Sequence, residues 1–271
     1  MYPKIIEDFV RMCADGYALG FNEANGGNAS YRLAPEEIKK CSEYLDLCDD
    51  EDWIGLGIEA PGLSGEYFIV TASGSLMRNV SLDIPGTLGI VQLNSTGDAY
   101  RKVWGLEGGR PTSEFAAHIM NHSVRKIASG GADRVMYHLH PVNLVALTYI
   151  LPLEDKVFSK ALWRSMTECV MVIPEGVGVL PWMLPGSKEL ALSTCDKMER
   201  YKAVIWAHHG LFVTGSSFDD AFGRAHTVEK SADIRNKILQ SGMPVLQEIS
   251  DNELKDICRS LNLTINEDIF A

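Results

Sequence analysis

The chain has 271 residues, 46% hydrophobic and 23% charged, enough to bury one large core. Its net charge of −11 argues against nucleic acid as the main partner, because binding phosphate backbones needs a basic footprint. No apolar run approaches the roughly 20 residues of a membrane span, and residues 1–10 carry Glu7 and Asp8 where a signal peptide would be apolar.

Residues 1–20 are predicted helical, with Ile5, Ile6, Phe9, Met12, Cys13 and Tyr17 at three- and four-residue spacing and Gly20 as the stop. Asn25-Gly26-Gly27-Asn28 is a turn that leads into a strand over 29–33. Residues 35–66 read as an acidic, irregular, solvated excursion, with Glu36, Glu37, Asp46 and the acidic run 49–52. Strands are predicted at 67–70, 88–93 and 99–104, the first closed by Thr71-Ala72-Ser73-Gly74-Ser75. Pro111-Thr112-Ser113-Glu114 opens a helix to about residue 128, with Thr112 or Ser113 as N-cap and Phe115, Ile119, Val124 and Ile127 on its apolar face. A strand over 134–139 follows, then a helix after Pro141 and another over 155–166. Residues 169–173 read as a buried strand, broken by Pro174, Gly176 and Gly178. A helix over 186–200, a strand over 203–207, a long helix over 218–239 and a short one over 252–260 complete the chain. With no linker, repeat or composition break, residues 1–271 are expected to form a single α/β domain, a central mainly antiparallel or mixed β-sheet flanked by helices.

The chemistry concentrates at the strand that ends in His138-Leu139-His140-Pro141. Side chains alternate along a strand, so His138 and His140 point one way and Val135, Tyr137 and Leu139 the other. Two neutral imidazoles at a strand end supply two-thirds of a catalytic zinc site. A third ligand is offered where the 203–207 strand runs into His208-His209-Gly210, and spacing alone leaves both histidines open. His118 and His122 read as packed or partly exposed helix residues. The six cysteines lack zinc-finger spacing and read as reduced thiols of a cytoplasmic protein.

An acidic chain that binds an anion must build the site locally, from backbone N–H groups, helix starts or a metal. The turn at Asn25 to Asn28, the turn at Ser73-Gly74 and the helix start at Thr112-Ser113 each offer donors. Singly, each is a turn or a cap; together they could cradle a phosphate without Lys or Arg. Glu114 is either a helix-start acid or a general base projecting toward the metal.

Asn-Gly-Gly-Asn, Thr-x-Ser-Gly, Pro-Thr-Ser-Glu, His-x-His-Pro and His-His-Gly, in this order, resemble the class II aldolase and adducin family. Arg78-Asn79-Val80, the 163–168 stretch and Gly176 to Trp182 extend the likeness over essentially the whole chain. The resemblance implies a metal-dependent lyase cleaving a small sugar phosphate, with one Zn2+ per subunit held by His138, His140 and His209. It implies Glu114 as the catalytic carboxylate and Asn25, Asn28, Ser73, Gly74, Thr112 and Ser113 as the phosphate-binding region. It also implies a homotetramer with active sites near subunit interfaces, Glu168 matching an acid that approaches from the neighbour. The 36–60 segment and Ala24 depart from the family pattern. A Schiff-base aldolase is disfavoured because no lysine sits at an apolar strand end; Lys156 and Lys202 flank helices. Sugar-phosphate 4-epimerases and dehydratases share the zinc scaffold, and adducin-type structural modules would be expected to lack its ligands.

Overall fold

The apolar runs at 67–71, 88–93, 135–139 and 203–206 alternate with helices in sequence, which calls for burial of both strand faces. In the computed structural model, which describes residues 2–45, 53–107 and 109–271, they share one sheet. The order begins α1 (Lys4–Ala18), β1 (Asn28–Arg32), α2 (Pro35–Cys41), β2 (Ile54–Gly55), β3 (Tyr67–Thr71), α3 (Ile84–Thr87), β4 (Leu88–Leu93) and β5 (Ala99–Gly105). It continues α4 (Phe115–Ala128), β6 (Val135–Leu139), α5 (Val142–Leu147), α6 (Asp155–Ser165), α7 (Thr167–Val172) and β7 (Gly178–Leu180). The last elements are α8 (Lys188–Met198), β8 (Ala203–Trp206), β9 (Gly210–Gly215), α9 (Phe218–Gln240) and α10 (Asp251–Ser260).

The strands lie in the order β2-β5-β4-β3-β1-β6-β9-β8-β7, and each neighbouring pair is antiparallel apart from β7 with β8. Period-two alternation divides the side chains between two cores. Ile69, Ile90, Val135, Tyr137, Ile205 and Val213 face α1, α6 and α9. On the other face Phe68, Val70 and Val91 meet Phe115 and Ile119 of α4, and Met136, Val204 and Phe212 meet Leu190 and Met198 of α8. In β1, Ala29 and Tyr31 join the first core. Asn28 and Ser30 therefore turn toward α4. The C-terminal half of α4 is tied down by a buried pair, Arg125 to Asp133 at 2.6 Å, with Arg125 also donating to the Met198 carbonyl at 2.7 Å.

Several expectations need correction. The 35–66 segment is not wholly irregular: Pro35 at the start, acids in the first turn and Lys39 and Lys40 in the last make α2, and Ile54–Gly55 pairs with β5. The acidic residues 46–52 lie outside the described residues. Residues 169–173 are not a strand; α7 covers Thr167–Val172, buried through Cys169 and Val170, and it places Glu168 exposed in its first turn. A five-residue apolar run cannot by itself distinguish a buried strand from a buried helical turn. Strands β7 and β9 were not expected from the Gly-rich segments that hold them. In α4 the N-cap is Glu114, not Thr112 or Ser113, and Ile127 is 82% exposed. The buried face of that helix is built from Phe115, His118, Ile119, His122 and Arg125.

Candidate metal centre and catalytic carboxylate

His138, His140 and His209 converge at one end of the sheet, their ligand atoms within 4.8 Å of one another. The Nε2 atom of His138 lies 3.1 Å from that of His140 and 3.3 Å from that of His209. His138 Nδ1 sits 3.1 Å from the Leu211 carbonyl, which can only accept, so the proton is on Nδ1 and the Nε2 lone pair faces inward. Glu23 Oε1 does the same for His140, accepting from Nδ1 at 2.7 Å. His209 Nδ1 is buried with no hydrogen-bond partner among the described residues. Burial, then the neighbouring imidazoles, push the His138 pKa well below its ordinary range, and burial takes His209 down to about 4. The Nε2 lone pairs of His138 and His140, crowded together, repel one another unless a cation lies between them. The donor set fits a divalent metal with coordination positions left over for other ligands.

The local chain explains how each ring is aimed. Leu139 and Leu211 are cross-strand partners, so His140 and His209 leave the sheet side by side. His208 takes a left-handed conformation, φ 62°, in the tight connection between β8 and β9. Its backbone N–H donates to Thr148 Oγ1 at 3.0 Å and its ring packs on Tyr149, 4.2 Å between centroids. His208 thus turns away and His209 turns in. Trp206 covers His138, with ring centroids 4.5 Å apart. Gly26 and Gly27 are required by close approach: a Cβ on Gly26 would lie 2.9 Å from His140 Cε1, and one on Gly27 2.8 Å from the His138 carbonyl.

Asn28 pairs across the sheet with His138, and its Nδ2 donates to Glu114 Oε2 at 2.7 Å. Glu114 is 8% exposed, and burial pushes its pKa up while the Asn28 hydrogen bond and the nearby His140 ring pull it back. It lines a cleft of about 190 Å³ with Ser113, Ser187, Lys188, Ile58 and Trp206. Two of the predicted anion-site segments, the end of β3 and the start of α4, adjoin one another. The Ala72–Pro111 bridge and the Thr112 N–H bond to the Thr71 carbonyl, 2.9 Å, join the end of β3 to the start of α4. Ser73, Gly74, Ser113 and Asn25 are exposed, and Thr112 is buried, its hydroxyl 3.4 Å from the Glu114 N–H. Both polar ends of the Asn28 side chain are engaged inside the protein, one at Glu114 and one at His118.

The family model described as Class II Aldolase and Adducin N-terminal domain matches residues 7–235. The chain belongs to that family. A rhamnulose-1-phosphate aldolase of Mannheimia succiniciproducens is 40% identical over 96% of this chain and 94% of its own length. The crystal structure of a sugar-phosphate aldolase from Thermotoga maritima superposes with a TM-score of 0.75 at 28% identity, covering 89% of this chain and 97% of that one. An L-fuculose-1-phosphate aldolase of Thermus thermophilus shares the fold, TM-score 0.58 at 19% identity over 89% of this chain and 98% of its own. The chain is thus a class II aldolase by family, and such aldolases depend on a metal.

Sequence reasoning missed Glu23, Thr148 and Trp206. Each acts on a histidine far away in sequence, and no local pattern marks it. Glu23→Gln is expected to weaken divalent-metal binding about 10- to 100-fold, since it exchanges a carboxylate for a weaker acceptor at His140 Nδ1. Competition with a chromogenic chelator reads this directly, and unchanged affinity would remove Glu23 from the site.

A second outcome follows from α4. His118 and His122 are fully buried and neutral, burial holding His118 down at about 3 and His122 well below its ordinary value. The unfolded chain binds more protons than the folded one in this range, so stability is full above about pH 6.5 and is lost as pH falls from there toward 3. His118 should contribute about 2 kcal/mol of loss between pH 8 and pH 5, and His122 a loss of the same sign. Urea unfolding across that interval checks it; a flat stability profile would contradict the burial.

Proposed function

We infer that this protein reversibly cleaves L-rhamnulose 1-phosphate to dihydroxyacetone phosphate and L-lactaldehyde, a step of L-rhamnose catabolism. The observation that carries the reading is the 40% identity to a rhamnulose-1-phosphate aldolase, spread over 96% of this chain. The L-fuculose-1-phosphate aldolase matches at 19%, a likeness of fold. Zinc, one ion per subunit, is the metal assigned here, because three neutral imidazoles with open positions are a catalytic zinc donor set. His138, His140 and His209 would hold it.

When bound, the ion supplies a Lewis acid that stabilises negative charge building on the C2–C3 unit as the C3–C4 bond breaks. Glu114 accepts the C4 hydroxyl proton as that carbon becomes the aldehyde and delivers it to C3 of the three-carbon fragment; in the synthetic direction the same proton travels back. Burial raises the Glu114 carboxyl pKa above its ordinary range, which makes it a better proton acceptor than a solvated carboxylate. Asn25, Ser73, Gly74, Thr112 and Ser113 are assigned to the phosphate, which fixes the substrate's remote end, while the Asn28 amide is already engaged by Glu114 and His118. What supports this is that the ends of β1 and β3 and the start of α4 adjoin beside Glu114.

The assembly assigned is a cytoplasmic homotetramer with sites close to subunit contacts. Supporting it, Val142, Tyr149 and Ile150, on the segment that follows His140, are 67%, 71% and 58% exposed. Sedimentation should give four times the 29.9 kDa chain mass, and a monomer at micromolar concentration would remove the assignment.

The decisive experiment follows dihydroxyacetone phosphate released from L-rhamnulose 1-phosphate, before and after EDTA and with zinc returned. Activity should vanish with chelation and recover with zinc, and L-fuculose 1-phosphate should react far more slowly. Zinc-loaded protein that leaves L-rhamnulose 1-phosphate intact would overturn the reading. Glu114→Gln should lower kcat by about 10²- to 10⁴-fold, the usual reach of a positioned proton carrier.

A further inference from the structure

Three polar side chains on β1 and α4 take no part in the cleavage just described: Ser30, His118 and His122, each 0% exposed. Burying them is costly unless each finds a partner. They form one line of hydrogen bonds that ends on Glu114. Ser30 Oγ lies 2.8 Å from both His122 Nε2 and His118 Nδ1. His118 Nε2 lies 2.5 Å from Asn28 Oδ1, and Asn28 Nδ2 donates to Glu114 at 2.7 Å.

The far end of the line fixes its direction. His122 Nδ1 is buried without a hydrogen-bond partner among the described residues, against the ring of Phe68 at 5.1 Å between centroids. A neutral imidazole carries one N–H, and a buried N–H without an acceptor is costlier than an unused lone pair. The hydrogen therefore sits on Nε2 and is donated to Ser30. Ser30 in turn donates its hydroxyl hydrogen to His118 Nδ1. His118, also neutral, carries its hydrogen on Nε2 and donates to Asn28 Oδ1. The amide of Asn28 is left with its NH2 toward Glu114, matched to an ionised carboxylate. Run in reverse, the line would require a protonated Glu114 and would strand an N–H of His122 in the apolar layer.

We propose that Ser30, His118 and His122 are positioning residues which, by fixing the amide of Asn28, hold the Glu114 carboxylate in place as the proton acceptor. The proposal rests on Glu114 being the proton carrier of the aldol cleavage. Its action is indirect, through Asn28.

Long-range 1H–15N NMR of the zinc-loaded, histidine-labelled protein reads the tautomers without any substrate. Both His118 and His122 are expected in the Nε2–H form; His118 in the Nδ1–H form overturns the proposal whatever the protein cleaves. In Ser30→Ala, His118 should lose its single tautomer. Its kcat per bound zinc for L-rhamnulose 1-phosphate should fall about tenfold, KM staying within about twofold, as for one lost hydrogen bond in a charged network. Unchanged turnover overturns the proposal, and so does lost turnover with the tautomer unchanged. Wild-type protein that does not cleave the sugar phosphate at all sinks the functional reading instead, and the tautomers still decide the hydrogen-bond line.

Discussion

The structure depends on the antiparallel register of β1 against β6, in which Asn28 stands opposite His138. Successive residues of a strand alternate faces, so this single pairing sends Asn28, Ser30 and His138 to the α4 side together. A slip by one residue would exchange Asn28 and Ser30 for Ala29 and Tyr31, and put an amide and a hydroxyl into the apolar core under α1 and α9. On its other edge β6 pairs with β9, Leu139 opposite Leu211. That second register brings the hairpin carrying His209 up to the strand carrying His138 and His140. The sheet thus brings the three clustered histidines and Asn28, the hydrogen-bond partner of Glu114, together from segments far apart in the chain.

Desolvation acts on these groups in opposite directions. It lowers the histidines, leaving uncharged nitrogens that can serve as ligands, and it raises Glu114. One cause therefore prepares both halves of the site. The local arrangement also answers the difficulty posed by a net charge of −11, since the general field of the protein repels an anionic substrate. Attraction must come from short-range donors and the metal, which act over distances where the rest of the surface is screened.

Legibility in the sequence followed the strength of periodic patterns. β3, β4, β5 and α9 lie within a residue or so of their predicted bounds, because alternation or helical spacing runs their whole length. The apolar face of α4 was misjudged for a physical reason. Hydrophobic periodicity selects Ile127, whereas the buried stripe includes His118, His122 and Arg125, polar groups whose partners lie on β1 and in Asp133. The 169–173 run is too short for either template to prevail. At His208-His209 the spacing is symmetrical; the structure breaks the symmetry with a left-handed backbone at His208 and a hydrogen bond to Thr148. Glu23 meets His140 across 117 residues, beyond the reach of any local signal.

The five residues of β1 carry two messages written on alternate positions. Ala29 and Tyr31 speak to a packed apolar interior, where volume-conserving replacements are tolerated and errors appear as lost stability. Asn28 and Ser30 speak to a directional hydrogen-bond line, where size matters less than donor and acceptor identity. The two faces can drift separately over evolutionary time. Variation at the odd positions would alter how well the interior packs, and variation at the even ones the hydrogen-bond line that ends on Glu114.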